Sequence, residues 1–156
     1  MHPHGRKLAG AALAAALILL ASCASLQRSR DQGNVETVAS LINEGRADTL
    51  TAMSSVPFLI DGEIVTLKPD IASFWTGIVK AGFKVEGAVL TQAAPLAPAS
   101  YTQFADSMEV KAFFAQYVKK GARLLEMGTS QSGKKILLLF GDTSPRKTIY
   151  GFKGPY

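Results

Sequence analysis

The sequence predicts an α+β domain in which a curved, mostly antiparallel sheet packs on about three helices. Three observations predict this class. Several segments carry apolar residues at helical spacing, an Asp-Gly dipeptide joins two β-rich runs, and the C-terminal part contains three further β-rich runs separated by turn residues. Helices and strands do not alternate regularly, which favours an antiparallel sheet over a parallel one.

The first predicted helix follows a polar, aperiodic segment. Asn34 is a suitable N-cap, and Gly45 is placed to end the helix after its apolar face has been formed by Val35, Val38, Leu41 and Ile42. Asp48 can cap a second, short helical turn. Residues 24–33 before this helix are interpreted as an extended tether.

Two further helices are better defined. Residues 70–81 have apolar side chains at i, i+3, i+4, i+7 and i+8, and Gly82 follows as terminator. The other helix begins with the capping pattern of Asp106 and Glu109 and continues to residue 120. Each apolar face needs a sheet or another helix to cover it.

The strands follow from alternation and turn chemistry. Residues 56–60 and 63–67 form a hairpin through Asp61 and Gly62, since both turn positions tolerate positive φ. Pro57 is expected at the start or the edge of its strand, because proline cannot donate to a ladder.

The remaining strands are assigned by the same criteria. We predict strands over residues 83–91, 122–127, 136–140 and 147–152, and a loop over residues 92–100, which contain two prolines among alanines.

This order of elements, with the final strands ending in Ile149-Tyr150-Gly151-Phe152, resembles the NTF2-like (cystatin-like) superfamily over residues 35–152. The resemblance implies a cone-shaped fold whose curved sheet and helices commonly enclose a pocket. Some members of the superfamily are isomerases or dehydratases in which a carboxylate moves a proton beside a Tyr or His. Residues 92–120 depart from the simplest version of the fold, which passes from strand to strand there.

The N-terminus has the three parts of a secretion signal. Arg6 and Lys7 form a basic start, residues 8–20 form an apolar run, and small residues follow. The run is too short to span a hydrocarbon core of about 30 Å as a helix. It ends in Leu20-Ala21-Ser22-Cys23, which resembles the bacterial lipobox.

The lipobox resemblance implies that residues 1–22 are removed and that Cys23 is acylated, so that residues 23–33 tether the rest of the chain to a membrane. The 134 residues left after cleavage have a length that suits one domain, which we place at 34–156. Because Ala24 and not Asp follows the cysteine, it also implies the periplasmic face of the outer membrane. Two alternatives remain open: an ordinary signal peptide cut after Ala21 or Ala24, and a retained membrane helix.

Composition excludes several kinds of chemistry. Both histidines, His2 and His4, lie in the signal, and Cys23 is the one cysteine, so the mature chain offers no histidine or thiol for nucleophilic catalysis or for a zinc site. We expect no metal and no cofactor. The mature chain has 15 basic and 12 acidic side chains, a net charge of +3 that is too small and dispersed to predict nucleic-acid binding.

Residues 128–135 nearly spell a phosphate-binding loop, but Lys135 stands where the motif needs a hydroxyl, and a strand follows instead of a helix. We interpret the segment as a hairpin turn. Glu126, among apolar neighbours, is assigned by alternation to the solvent side of its strand.

Candidate pocket-lining residues are the aromatic side chains of the two best-defined helices, with core packing as the alternative: Phe74, Trp75, Phe113, Phe114 and Tyr117. No particular residue is assigned a catalytic role. The leading hypothesis is a membrane-anchored periplasmic lipoprotein that binds a small apolar ligand or an envelope protein. The alternatives are an NTF2-like enzyme using a carboxylate and a tyrosine, and a structural envelope lipoprotein.

Overall fold

The computed structural model describes residues 7–128, 133–143 and 146–156, with side chains from Cys23 onward except that of Thr143. Its helices are α1 (Lys7–Asn43), α2 (Ala47–Met53), α3 (Lys68–Lys80) and α4 (Met108–Tyr117), with a 3-10 helix at Ser100–Gln103. Its strands are β1 (Ser54–Ile60), β2 (Glu63–Val65), β3 (Val89–Pro95), β4 (Arg123–Gly128), β5 (Lys135–Thr143) and β6 (Arg146–Lys153).

The six strands form one curved sheet in the order β2-β1-β6-β5-β4-β3. All neighbours are antiparallel except β1 and β6, which run parallel. The α+β class and the curved, mostly antiparallel sheet are therefore confirmed.

Both faces of the sheet are covered. On what we call the first face, α1, α2 and α3 contribute Val38, Leu50 and Trp75 to a buried cluster with alternate residues of the central strands, such as Leu125 and Leu138. On the second face, α4 and the 3-10 segment cover a smaller cluster that takes the other set of alternating residues, including Leu124, Leu137 and Leu139. Alternation along each strand thus divides its apolar side chains between two cores.

The hairpin of β1 and β2 is confirmed. Asp61 and Gly62 both have positive φ, 49° and 103°, as a two-residue turn between twisted strands requires. The prediction that Pro57 lies at a strand start or edge is wrong, because β1 lies between β2 and β6. Pro57 is tolerated there because the pairing with β6 shifts register between Ser54 and Leu59, which leaves the proline at an irregularity.

The predicted tether and the predicted N-cap at Asn34 are also wrong. Helix α1 runs without interruption from Lys7 to Asn43, so residues 24–33 are helical and Asn34 lies inside the helix. Asn34 is buried and donates a 3.3 Å hydrogen bond to the Asp142 carboxylate on β5. Contacts with the sheet stabilise this segment as a helix. The prediction failed because these contacts join residues far apart in sequence and leave no local pattern.

The third strand begins later than predicted. Residues 83–88 are irregular, and β3 occupies Val89–Pro95, where we predict a loop. Gly87 has a φ of 60°, which breaks an extended chain before the strand. Val85 is held by Asn43 of α1, whose side chain both donates to and accepts from the Val85 backbone at 2.7 Å.

Two helix starts differ by one or two residues from their predictions. Ser107, not Asp106, caps α4, because its hydroxyl accepts a 3.2 Å hydrogen bond from the Val110 amide. Asp48 lies in the first turn of α2 and not at its cap. The helix of residues 70–81 and the three C-terminal strands are confirmed, with boundaries that differ by a few residues.

Candidate functional site

The five aromatic residues predicted to line a pocket do not come together. Phe74 and Trp75 belong to the first face, whereas Phe113, Phe114 and Tyr117 lie on the second face, with the sheet between the two groups. Trp75 and Phe113 are buried, Tyr117 is 48 % exposed, and Phe114 lines a shallow surface depression beside Tyr101 and Lys111. These five side chains do not enclose one common pocket.

The first face is filled by aromatic packing where the NTF2-like resemblance implies a pocket. Phe74 and Trp75 contact each other, and each also contacts Phe58 and Phe152, with ring centroids 4.9 to 6.2 Å apart. The Trp75 indole N–H donates a 2.9 Å hydrogen bond to Ser54 Oγ, so its polar atom is satisfied inside the core. These aromatic side chains therefore pack against one another as a core and do not line a pocket.

Cys23 is exposed and lies on α1. Eight residues further along the same helix, Asp31 packs against the sheet. At a rise of about 1.5 Å per residue, the two are about 12 Å apart along the helix axis. A group attached to Cys23 would therefore be held close to the sheet by a helix, and not by a flexible segment.

Asp31 attaches α1 to the first strand of the C-terminal half. Its side chain is 2 % exposed and forms a 2.9 Å ion pair with Arg123 of β4, whose side chain is 22 % exposed. Gln27, one turn earlier on α1, donates a 3.0 Å hydrogen bond to the other carboxylate oxygen. We call these three residues the Asp31 latch. The interpretation of residues 24–33 as a tether missed it, although Asp31 stands four and seven residues before Val35 and Val38 on the same helical face.

A second polar cluster lies on the second face, at the end of β4. Glu126, predicted on the solvent side of its strand, keeps 16 % of its side chain exposed and forms its hydrogen bonds at the protein surface. Its carboxylate accepts hydrogen bonds from Lys135 at 2.9 Å, Thr91 at 2.8 Å and Tyr156 at 3.3 Å. We call these four residues the Glu126 cluster.

Burial alone would raise the pKa of Glu126, but hydrogen bonds from Lys135 and Thr91, together with the charge of Lys135, bring it below its ordinary value. The hydrogen bond to Glu126 raises the pKa of Lys135. Burial and the neighbouring carboxylate raise the pKa of Tyr156. The cluster therefore favours a charged Glu126, a charged Lys135 and a neutral Tyr156 at neutral pH.

The Glu126 cluster pairs a carboxylate with a tyrosine, as the enzyme alternative requires, but its properties do not suit proton transfer. A general base is most effective when its pKa lies near the working pH, and that of Glu126 is lowered. The adjacent cavity of about 30 Å³ is also too small for a substrate. The geometry suits a structural role, because Tyr156 is held to β4 through Glu126 and to β5 through the backbone of Lys135.

The near-match to a phosphate-binding loop is followed by β5, a strand, as predicted. Residues 129–132, which include most of the predicted turn, lie outside the described residues. Within the described part of the chain, no group of three or more His, Cys, Asp or Glu side chains is placed to hold a metal ion. No helix among the described residues has the length and apolar character needed to cross a membrane.

Comparisons of the chain with protein-family models, with curated proteins and with solved structures find no match. The fold and the side chains described above define a class of protein: an α+β domain with helices on both faces of its sheet and an exposed cysteine on its first helix.

Proposed function

We propose that this chain is a lipid-anchored domain of the cell envelope that acts by binding and not by catalysis. The lipobox-like residues 20–23 and the exposed position of Cys23 support the anchor. Acylation would supply the two or more chains that stable membrane attachment takes. The absence of Asp after Cys23 favours the outer membrane.

The observation that carries the binding function is the filled interior. Both clusters of apolar side chains are packed against the sheet, and the depressions lined by described residues open to solvent or are very small. A substrate that must be shielded from water has no chamber among these residues. Recognition of a small apolar ligand or of an envelope protein therefore takes place on the outer surface.

The anchor is tested by the intact mass of the protein in the membrane fraction of cells that express either the wild type or Cys23→Ser. We expect a wild-type mass equal to a chain that begins at Cys23 plus acyl groups, and no such species from the variant. Ser25→Ala, which leaves residues 20–23 unchanged, is the control. A wild-type chain without acyl groups contradicts the anchor and leaves the surface-binding function to be tested separately.

A further inference from the structure

A groove runs between α1, α2 and the beginning of β6, outside the aromatic core. Its volume is about 700 Å³, within the range of roughly 300–1,000 Å³ typical of small-molecule sites. Four elements, α1, α2, β1 and β6, contribute its lining: Thr37, Leu41, Thr49, Ala52, Met53, Ser54, Arg146, Lys147 and Thr148. None of these residues belongs to the Asp31 latch or to the Glu126 cluster.

The floor of the groove is apolar. Leu41 of α1 and Met53 of α2 are half-buried and pack against the first-face core, and Ala52 lies beside them, exposed. These side chains remain in partial contact with water. A ligand that covers them removes apolar surface from water, which contributes about 25 cal/mol of binding free energy per Å². The floor thus favours a ligand with a hydrocarbon body.

One end of the groove is positively charged. Arg146 and Lys147 are exposed, and neither takes part in an ion pair with the described residues. Asp142 stands opposite Lys147 in the β5–β6 register, but its carboxylate accepts a hydrogen bond from Asn34 of α1 instead. Two cations without a carboxylate partner attract an anion.

Three hydroxyl groups of the groove already take part in hydrogen bonds within the protein. Thr37 donates to the Gly33 carbonyl at 2.7 Å, and Thr49 accepts from Arg46 at 3.2 Å. Ser54 donates to the Leu50 carbonyl at 2.8 Å and accepts from Trp75. The two cations are therefore the strongest polar groups available to a ligand, which favours a molecule with one anionic end.

We propose that this groove binds a single-chain fatty carboxylate, with its head group on Arg146 and Lys147 and its hydrocarbon chain over Leu41, Ala52 and Met53. The proposal rests on the surface-binding function proposed above. Leu41 lies 18 residues after Cys23, about 27 Å along α1, a separation that allows a ligand in the groove to lie outside the bilayer. A single-chain molecule is more soluble as a monomer than a two-chain lipid, because each CH₂ costs about 0.8 kcal/mol in water.

The chain carries its own reporter. Trp75 is the sole tryptophan, and its indole is hydrogen-bonded to Ser54, which lines the groove. Full chain in phosphatidylcholine nanodiscs is titrated with undecanoate brominated at its chain end, and quenching of Trp75 fluorescence is measured. The matched neutral probe is the corresponding bromoundecanol. We expect saturable quenching by the carboxylate, at a concentration about tenfold lower than by the alcohol, since one charge-assisted contact contributes roughly tenfold.

Two variants locate the site. Arg146→Gln with Lys147→Gln removes both rim charges and is expected to raise the half-saturating carboxylate concentration about tenfold, without changing the response to the alcohol. Ala52→Gln occupies the floor at an exposed helix position and is expected to weaken both probes. The control, Lys119→Gln with Lys120→Gln, removes the same charge from the other side of the molecule and should change neither.

Equal quenching by carboxylate and alcohol, or a response that the Arg146 and Lys147 substitutions leave unchanged, would overturn the proposal and show that the probes only partition into the nanodisc. Because the groove is tested by the fluorescence of Trp75 and the anchor by the mass of the chain that begins at Cys23, a failed groove and a failed lipid anchor give separate results.

Discussion

The two faces of the sheet differ in how many helices cover them and in how far their carboxylates are buried. Three helices cover the first face, and there the Asp31 side chain is only 2 % exposed and relies on Arg123 and Gln27. One helix and a 3-10 segment cover the second face, and Glu126 at its end is 16 % exposed. Helix cover therefore decides whether a carboxylate beside this sheet is buried or stays in contact with solvent.

The largest expected effect comes from the aromatic core of the first face. Trp75→Ala removes a fully buried indole from among Phe58, Phe74 and Phe152 and leaves the Ser54 hydroxyl without its donor. We expect the free energy of unfolding to fall by about 3–5 kcal/mol, as measured by denaturant titration. The matched change on the second face, Phe114→Ala at a half-buried ring, should cost about 1–2 kcal/mol.

Tyr117→Ala serves as the exposed control for these two changes and should cost less than about 1 kcal/mol. If Trp75→Ala and Phe114→Ala have equal costs, the two faces are packed alike and the comparison fails.

The next effect tests the polar group of the first face. Arg123→Met leaves the Asp31 carboxylate buried with Gln27 as its one remaining side-chain partner, so we expect a loss of about 3 kcal/mol in the free energy of unfolding. Asp31→Asn removes the negative charge that pairs with Arg123. The Arg123 side chain, which is 22 % exposed, can then recover contact with water. The second change should therefore cost about half as much or less.

A double variant, Asp31→Leu with Arg123→Met, separates the charge from the packing. Replacing both ions by apolar side chains of similar size should restore most of the stability lost in Arg123→Met. A double variant that is less stable than Arg123→Met would mean that the ion pair itself, and not the unpaired charge, dominates the free energy.

Local patterns predicted the elements whose apolar faces are complete in sequence. Helix α3 has every core position at helical spacing, and the Asp61-Gly62 turn needs only its own two residues. The helix cover on the second face of the sheet was not predicted. Residues 136–140 are apolar without interruption, which is typical of a strand buried on both faces. The helix over residues 24–33 makes contacts with Arg123 through Asp31 and with Leu90 through Gln32, and both partners are far away in sequence.

The candidate sites were predictable to a smaller extent. Cys23 stands in a recognisable tetrapeptide, and its exposure on α1 is a separate finding. The Asp31 latch joins residues 92 positions apart, and the groove joins α1 and α2 with the start of β6, so neither has a local signature. Aromatic residues at helical spacing predicted burial correctly for Trp75 and Phe113 but could not show that the sheet separates them.

The smallest effect concerns the polar group of the second face and depends on pH. The folded-state pKa of Glu126 lies below its ordinary value of 4.5, so its contribution to stability is present above about pH 4.5 and is lost as the pH falls through the folded-state value. The pKa values of Lys135 and Tyr156 are raised from 10.5 and 10.0, so their contributions are present below about pH 10 and are lost as the pH rises further.

Glu126→Gln should therefore be less stable than the wild type mainly between about pH 5 and pH 9.5, by less than about 1 kcal/mol because the ion pair is in contact with solvent. Denaturant titrations at several pH values measure this difference, which should shrink at both extremes and in high salt. Glu63→Gln, at an exposed position on β2, is the control and should show no such window. A Glu126→Gln deficit as large and as independent of salt as that of Arg123→Met would show that the second face buries its carboxylate as fully as the first, and the difference between the faces would then lie in their apolar packing alone.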